Sequence, residues 1–283
     1  LNMVTAMVAV AESHERIGSV TAWSNNASAF SLPNHDDTGL LQRQDMVDWI
    51  SAEMTRMFTT SAIDLPTGVG FCMLMAVPVV RQVGLFDPAY GRGYCEEVDW
   101  SLRSRRAGYR AVLAPSTFVF HLGNGSTAGT GMLAHQQTTV AEHEQIVDLR
   151  YPAYRGEVDA FLRTGVMDEL AAQAVRTLVV LAAQRWGYHV EAAWLPSAGI
   201  DASRMRVIVD PDGDRPSAHA EFCGFRHPLV VGDGGMVEAV MDLVGSPPAA
   251  ITVADRGRHA DQLLARWGDS VPVDDRYGYP QRI

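Results

Sequence analysis

Apolar residues recur at helical spacing in residues 1–14, where Met3, Met7, Val8 and Val10 form one stripe, so the sequence predicts an amphipathic helix there. Arg16 to Trp23 reads as a turn and a short strand. The polar run Ser24–Ser28 reads as a loop, because Asn and Ser side chains satisfy turn backbone themselves. Helical spacing returns over Gln44–Met57, with Met46, Val47, Ile50, Met54 and Met57 on one face, a pattern of core packing. Pro66–Met75 predicts a glycine-marked loop feeding a buried strand, and Pro78–Val83 a short helix with proline in its first turn. Glu96–Ala107 should be a helix closed by Gly108. Two strands are expected around Pro115, at Tyr109–Leu113 and Thr117–His121. A loop at Gly123–Thr127 and a helix over Met132–Leu149 follow.

From Gly165 the pattern changes. Met167–Trp186 is a long Ala/Leu/Val-rich helix, after which strands at Met205–Val209, Pro228–Gly232 and Ala250–Ala254 alternate with helices at Met236–Val244 and His259–Trp267. Alternation of this kind predicts a small parallel α/β unit, and the expected domains are 1–165 and 166–283. At 283 residues and 47% hydrophobic, the chain can bury one large core or two modest ones. Its net charge of -10 argues against a nucleic-acid partner, which needs basic surface. No apolar run approaches the ~18 residues of a membrane span, and no signal peptide is seen. Cys72, Cys95 and Cys223 are odd in number and far apart, which fits reduced thiols in a cytoplasm and no structural zinc. The sequence enters its first helix directly at Leu1, as if cut there.

Chemistry concentrates in Gly91–Trp100, where Glu96, Glu97 and Asp99 stand between a glycine-rich turn and a basic helical segment. A turn-to-helix junction can aim a carboxylate into a cleft. The plainer alternative is a solvated carboxylate stabilised by the helix dipole, and for Asp99 a pairing with Arg103 one helical turn on. His121 is either a metal ligand or a strand-end histidine satisfied by backbone. Asn25 and Asn26 either line a cleft or simply form their loop. Gly68 and Gly70 suit close backbone packing, with Thr67 able to face a substrate. His135 and His143 are expected on a solvated helix face. Gly232-Asp233-Gly234-Gly235 follows a strand and opens a helix, which could cradle phosphate, although a tight β-to-α turn explains it more simply.

Eight landmarks occur in one order: Gly18–Thr21, Ser24–Ala27, Pro66–Leu74, Val83–Asp87, Gly91–Asp99, Arg105–Arg110, Phe118–Gly123 and Leu149–Pro152. Together they resemble the C-terminal part of a family 2 glycosyltransferase with the GT-A fold, most of all bacterial members that build rhamnose-containing surface glycans. The resemblance implies an incomplete, Rossmann-like GT-A domain followed by a small α/β domain. It implies inverting transfer of a sugar from a nucleotide-sugar donor to a hydroxyl of a glycan or glycolipid acceptor. Glu97 falls where the family places its catalytic base, with Glu96 and Asp99 as supporting carboxylates. Thr67, Gly68, Asn25 and Asn26 are the candidate substrate-binding residues beside it, and His121 falls where many members hold Mg²⁺ or Mn²⁺. A cytoplasmic setting at the inner face of the plasma membrane, with peripheral membrane association, is implied as well.

The chain departs from that family in one respect. The nucleotide-binding strands and the Asp-x-Asp metal motif, which precede the first helix in the family, are absent from this sequence. Asp210-Pro211-Asp212 and Asp212-Gly213-Asp214 have the spacing but sit in a turn of the second domain. The expectation is therefore an acceptor half with little transferase activity alone. The rivals are a non-catalytic binding module keeping only the acceptor surface, or a second domain that acts as half of a GT-B transferase.

Overall fold

The structure, a computed structural model, describes residues 3–27, 31–32, 43–91, 94–121, 133–194, 204–211, 218–255 and 257–276, the side chains of 133–139 excepted. It is mixed α/β and divides into two compact units, Leu1–Leu170 and Ala171–Ile283. Ser28, Arg92, Gly93, Leu122, the loop 123–127, the start of the predicted helix at Met132 and the Asp212–Asp214 spacing lie outside the described residues.

The first unit is built on two parallel central strands, β1 (Ile17–Ser24) and β4 (Arg110–Val119). Antiparallel edges complete a four-stranded sheet, β2 (Ile63–Leu65) on β4 and β3 (Met73–Met75) on β1. Every residue of β1 is buried, as for a strand covered on both faces, so the polar Ser19, Thr21 and Ser24 are buried along with the apolar residues. Met7 and Val10 of α1 (Met3–Ser13) pack with Ile17, Val20, Ala22, Val112 and Ala114. Helix α2 (Gln44–Phe58) buries Met46, Val47, Ile50 and Met54, as its spacing predicts. It is tied to β4 by Ser51 and Thr55, whose hydroxyls donate to the carbonyls of Phe118 and Ser116 at 3.0 Å each.

Those two bonds bear on a correction. The chain does not break into two strands at Pro115; β4 runs through it. The partners on β1 jump from Ala22↔Ala114 to Trp23↔Phe118, so Pro115 lies in a bulge where its missing N–H is not needed. Helices α3 (Val77–Val83), α4 (Glu96–Arg106), α5 (Leu133–Arg150) and α6 (Tyr154–Leu162) complete the unit, with a 3-10 turn at Pro88–Tyr90. Strand β2 and helix α6 were not expected. One is three residues long and the other buries no residue fully, so neither leaves a clear periodicity.

The second unit holds a six-stranded sheet fed by α7 (Val166–Trp186), a helix in which the division between units falls. Its strands are β5 (His189–Ala192), β6 (Arg206–Val209), β7 (Ala218–Phe222), β8 (Phe225–Leu229), β9 (Ala250–Val253) and β10 (Val273–Asp275). The spatial order is β10-β9-β5-β6-β7-β8. The first four are parallel, whereas β7 and β8 are antiparallel, so the sheet is mixed and not the parallel one expected. The strand placed at Pro228–Gly232 begins earlier, at Phe225, and Val230 is 89% exposed beyond its end. Cys223 and Gly224 turn the β7–β8 hairpin with φ of 48° and 79°, a two-residue loop of the kind Asn-Gly usually signals. Helices α8 (Gly235–Val244) and α9 (Arg258–Trp267) bury Met236, Val240, Ala260, Leu263 and Trp267. Among the described residues no helix is long and apolar enough to cross a membrane.

Candidate functional site

The loop between β2 and β3 is gripped from several sides. Gly68 lies so close to its neighbours that a Cβ there would stand 2.4 Å from Met73 Sδ and 3.2 Å from Thr21 Oγ1, so Met73 would have to move to admit any side chain. The Gly68 N–H donates to Ser101 Oγ (3.1 Å), and that hydroxyl donates in turn to the Glu97 carbonyl (2.7 Å). Val69 N–H donates to Thr21 Oγ1 at 3.1 Å. Thr67 is buried, its hydroxyl 3.0 Å from Tyr154 Oη.

Glu97 stands over this loop: a Cβ on Gly70 would lie 3.6 Å from its Cδ and Cγ. The side chain is half-buried at the start of α4. Burial raises its pKa above the ordinary carboxylate value; backbone N–H groups of the first turn oppose this, and the Glu96 charge adds to it. Glu96 Oε2 is itself buried, with no hydrogen-bond partner among the described residues. Burial likewise pushes the neighbouring Cys95 thiol up to about 11, with Glu97 the next cause.

Asp99 behaves in the opposite way. Its carboxylate is fully buried and accepts hydrogen bonds from Tyr151 Oη (2.7 Å), Arg103 Nε (2.8 Å), Arg150 Nη1 (3.1 Å) and Tyr90 Oη (3.4 Å). Burial works to raise its pKa, but the bonds from Arg103, Tyr151 and Arg150 outweigh it and hold the group below the usual range. All of its acceptor capacity turns inward, so Asp99 anchors α4 and does not face the Gly68–Gly70 loop.

His121 reaches the same loop from the end of β4. Its ring stacks on Phe71 with centroids 5.2 Å apart and planes at 29°. Its Nδ1 donates to the Asn26 carbonyl (2.5 Å), and its backbone is clamped by the Asn25 amide, which accepts from His121 N (2.7 Å) and donates to His121 O (3.2 Å). The Asn25 side chain is thus spent on His121, and Asn26 fixes the imidazole through its backbone. A histidine fixed through Nδ1 presents Nε2 as its remaining lone pair, the arrangement common in metal ligands. One imidazole does not make a divalent site, however, and no group of three or more His, Cys, Asp or Glu that could hold a metal ion is found among the described residues.

The sequence reading missed three residues here. Tyr154 and Ser101 carried no motif signal. His143, expected to be solvated, is 7% exposed, with Nδ1 donating to the Tyr94 carbonyl at 3.0 Å. His135 lies outside the residues whose side chains are described. In the second unit, the Gly232–Gly235 turn is occupied by its own helix: a Cβ on Gly234 would stand 1.0 Å from Glu238 Oε2. The adjoining cavity of about 410 Å³ is lined by Asp233, Glu238 and Asp242. Three carboxylates around a helix start repel phosphate, so the tight-turn reading fits the structure. Comparison of the chain with protein-family models, curated proteins and solved structures finds no match.

Proposed function

We propose that the first unit is the acceptor side of an inverting family 2 glycosyltransferase of GT-A type, with Glu97 as its base. One observation carries the reading. The two residues to which the resemblance gives chemistry meet the same short loop, Glu97 against Gly70 and His121 against Phe71. In the proposed step, an acceptor hydroxyl oxygen bonds to the anomeric carbon of the donor as the bond from that carbon to the diphosphate breaks. The diphosphate leaves with the electron pair, and the hydroxyl proton passes to Glu97. A carboxylate of raised proton affinity suits that role, which is worth roughly 10²–10⁴ in rate. A Mg²⁺ or Mn²⁺ ion would neutralise the leaving diphosphate in such a reaction. His121 would contribute one ligand to it, and no group of three or more such ligands is found among the described residues, so the reading rests on Glu97 and the loop.

That incomplete ligand set favours a second reading, a non-catalytic saccharide-binding module. Nucleoside diphosphate release should be measured on the 283-residue chain with a panel of nucleotide sugars and oligosaccharide acceptors, with and without Mn²⁺. Acceptor-dependent release lost in Glu97→Gln supports the transferase. Saccharide binding without release supports the module, and neither release nor binding overturns both.

A further inference from the structure

Helix α4 starts from an unusual piece of backbone. Tyr94 and Cys95 are consecutive non-glycine residues in the left-handed region, with φ of 67° and 73°. Each such residue costs about 1–2 kcal/mol in an L-amino-acid chain, so the pair persists only where its surroundings over-determine it. Cys95 caps the helix without any side-chain hydrogen bond. The hold comes from α5: His143, buried in the unit, donates through Nδ1 to the Tyr94 carbonyl at 3.0 Å. Its ring meets the fully buried Tyr90 edge-on, with centroids 5.6 Å apart and planes at 81°. Tyr90 in turn donates to Asp99, so the imidazole is seated on the group that anchors α4. Two residues beyond the left-handed pair stands Glu97.

We propose that His143 is a positioning residue for Glu97. By holding the Tyr94 carbonyl it locks the left-handed turn that sets the exit angle of α4 and keeps the Glu97 carboxyl over the Gly68–Gly70 loop. The geometry stands by itself; the catalytic consequence rests on the transferase reading. The same turn walls a cleft of about 360 Å³ with Cys95, Val98, Glu144, Val147 and Tyr154. A relaxed turn would therefore open the Cys95 thiol to solvent as well as moving Glu97.

The test uses the whole chain and three variants. His143→Phe keeps an aromatic ring against Tyr90 without a donor, His143→Asn keeps a donor near the Nδ1 position, and His143→Ala removes both. Two readouts need no transferase activity: the Glu97 titration followed by carboxyl ¹³C NMR, and the rate at which Cys95 reacts with a disulfide reagent. In His143→Phe the Glu97 midpoint should fall back toward the ordinary carboxylate range. Cys95 thiolate should rise by about tenfold for each unit its pKa falls, at fixed pH. His143→Asn should restore both. Wild-type values in a folded His143→Phe overturn the proposal, as does a folded His143→Asn that matches His143→Phe. If His143→Ala does not fold, the other two decide. If both readouts move as expected and the chain neither releases nucleoside diphosphate nor binds an oligosaccharide acceptor, the positioning role stands and the transferase reading fails.

Discussion

Each unit buries a cluster of charges, and the two are built differently. In the first, bonds of 2.7, 2.8 and 3.1 Å converge on the single carboxylate of Asp99 from Tyr151, Arg103 and Arg150. The guanidiniums continue outward: Arg150 to Asp87 at 2.7 Å, and Arg103 to the carbonyls of Val83 and, at 2.8 Å, Leu85. The hub joins the 3-10 turn, α4 and the end of α5, segments that no backbone ladder holds together. In the second unit the charges form a ladder across strands already paired through their backbones. Arg206 lies 3.4 Å from Glu191 and 3.3 Å from Glu221, and Glu221 also meets Arg226 at 3.2 Å and His219 at 3.4 Å. These contacts are longer, and Arg206 Nε has no partner among the described residues. Short convergent bonds between otherwise unlinked segments specify geometry. A long ladder inside a paired sheet adds charge where the fold is already fixed.

The largest effect should therefore come from Asp99→Ala, which takes the common acceptor from Arg103, Arg150 and the buried Tyr151 and Tyr90 hydroxyls at once. It should cost the first unit about 3–5 kcal/mol, read as lost hydrogen-exchange protection in β1 and β4 peptides. A loss below about 1 kcal/mol would show that the hub specifies nothing beyond its own contacts. Arg206→Met should come next, at about 3 kcal/mol in the second unit, because it takes the buried guanidinium from the fully buried Glu191 and leaves Glu221 only Arg226 and His219. The contrast sharpens with Glu191→Leu/Arg206→Met/Glu221→Leu. If the ladder is dispensable, β5 and β6 protection in that triple variant returns to within about 1 kcal/mol of the parent. A triple variant as unstable as the single one would place the ladder on the same footing as the hub.

This contrast bears on what could be read from the residues alone. The helices α1, α2, α7, α8 and α9 announced themselves because each buries one stripe, and stripe spacing is a local property, whereas α4 was marked by its closing Gly108. The Asp99–Arg103 pair was legible for the same reason, four residues apart on one helix. Tyr151 and Arg150 were not, since they meet Asp99 only after α5 has folded back onto α4. Strand β7 hid because its buried Glu221 reads as a solvent residue until Arg206 is seen opposite it in the register. At the candidate site Glu97 and His121 were singled out by the order of the landmarks, with Thr67 and Gly68 as candidates beside them. It could not show that Asn25 is consumed in clamping His121, or that His143 faces inward.

The smallest expected effect separates the two carboxylates of one helix, and its sign is unusual. Asp99 has a depressed folded-state pKa, so its contribution to stability is present above the unfolded value and is lost as pH falls through the folded one. Glu97 is the reverse. Its folded pKa is raised above 4.5, chiefly by burial, so its contribution is present below that value and is lost as pH rises through the folded pKa. Once the pH has risen through that raised pKa, Glu97 therefore works against the fold, and Glu97→Gln should stabilise the first unit by about 0.5–1 kcal/mol. Protection measured against pH should also lose part of its decline between pH 4.5 and neutrality in that variant. On the proposed transferase reading, a carboxylate kept where it weakens the fold fits a group held for chemistry, whereas a structural one would be expected to follow Asp99. If Glu97→Gln is instead neutral or destabilising at pH 7, Glu97 belongs with Asp99 as an anchor of α4, and the base role loses its physical support.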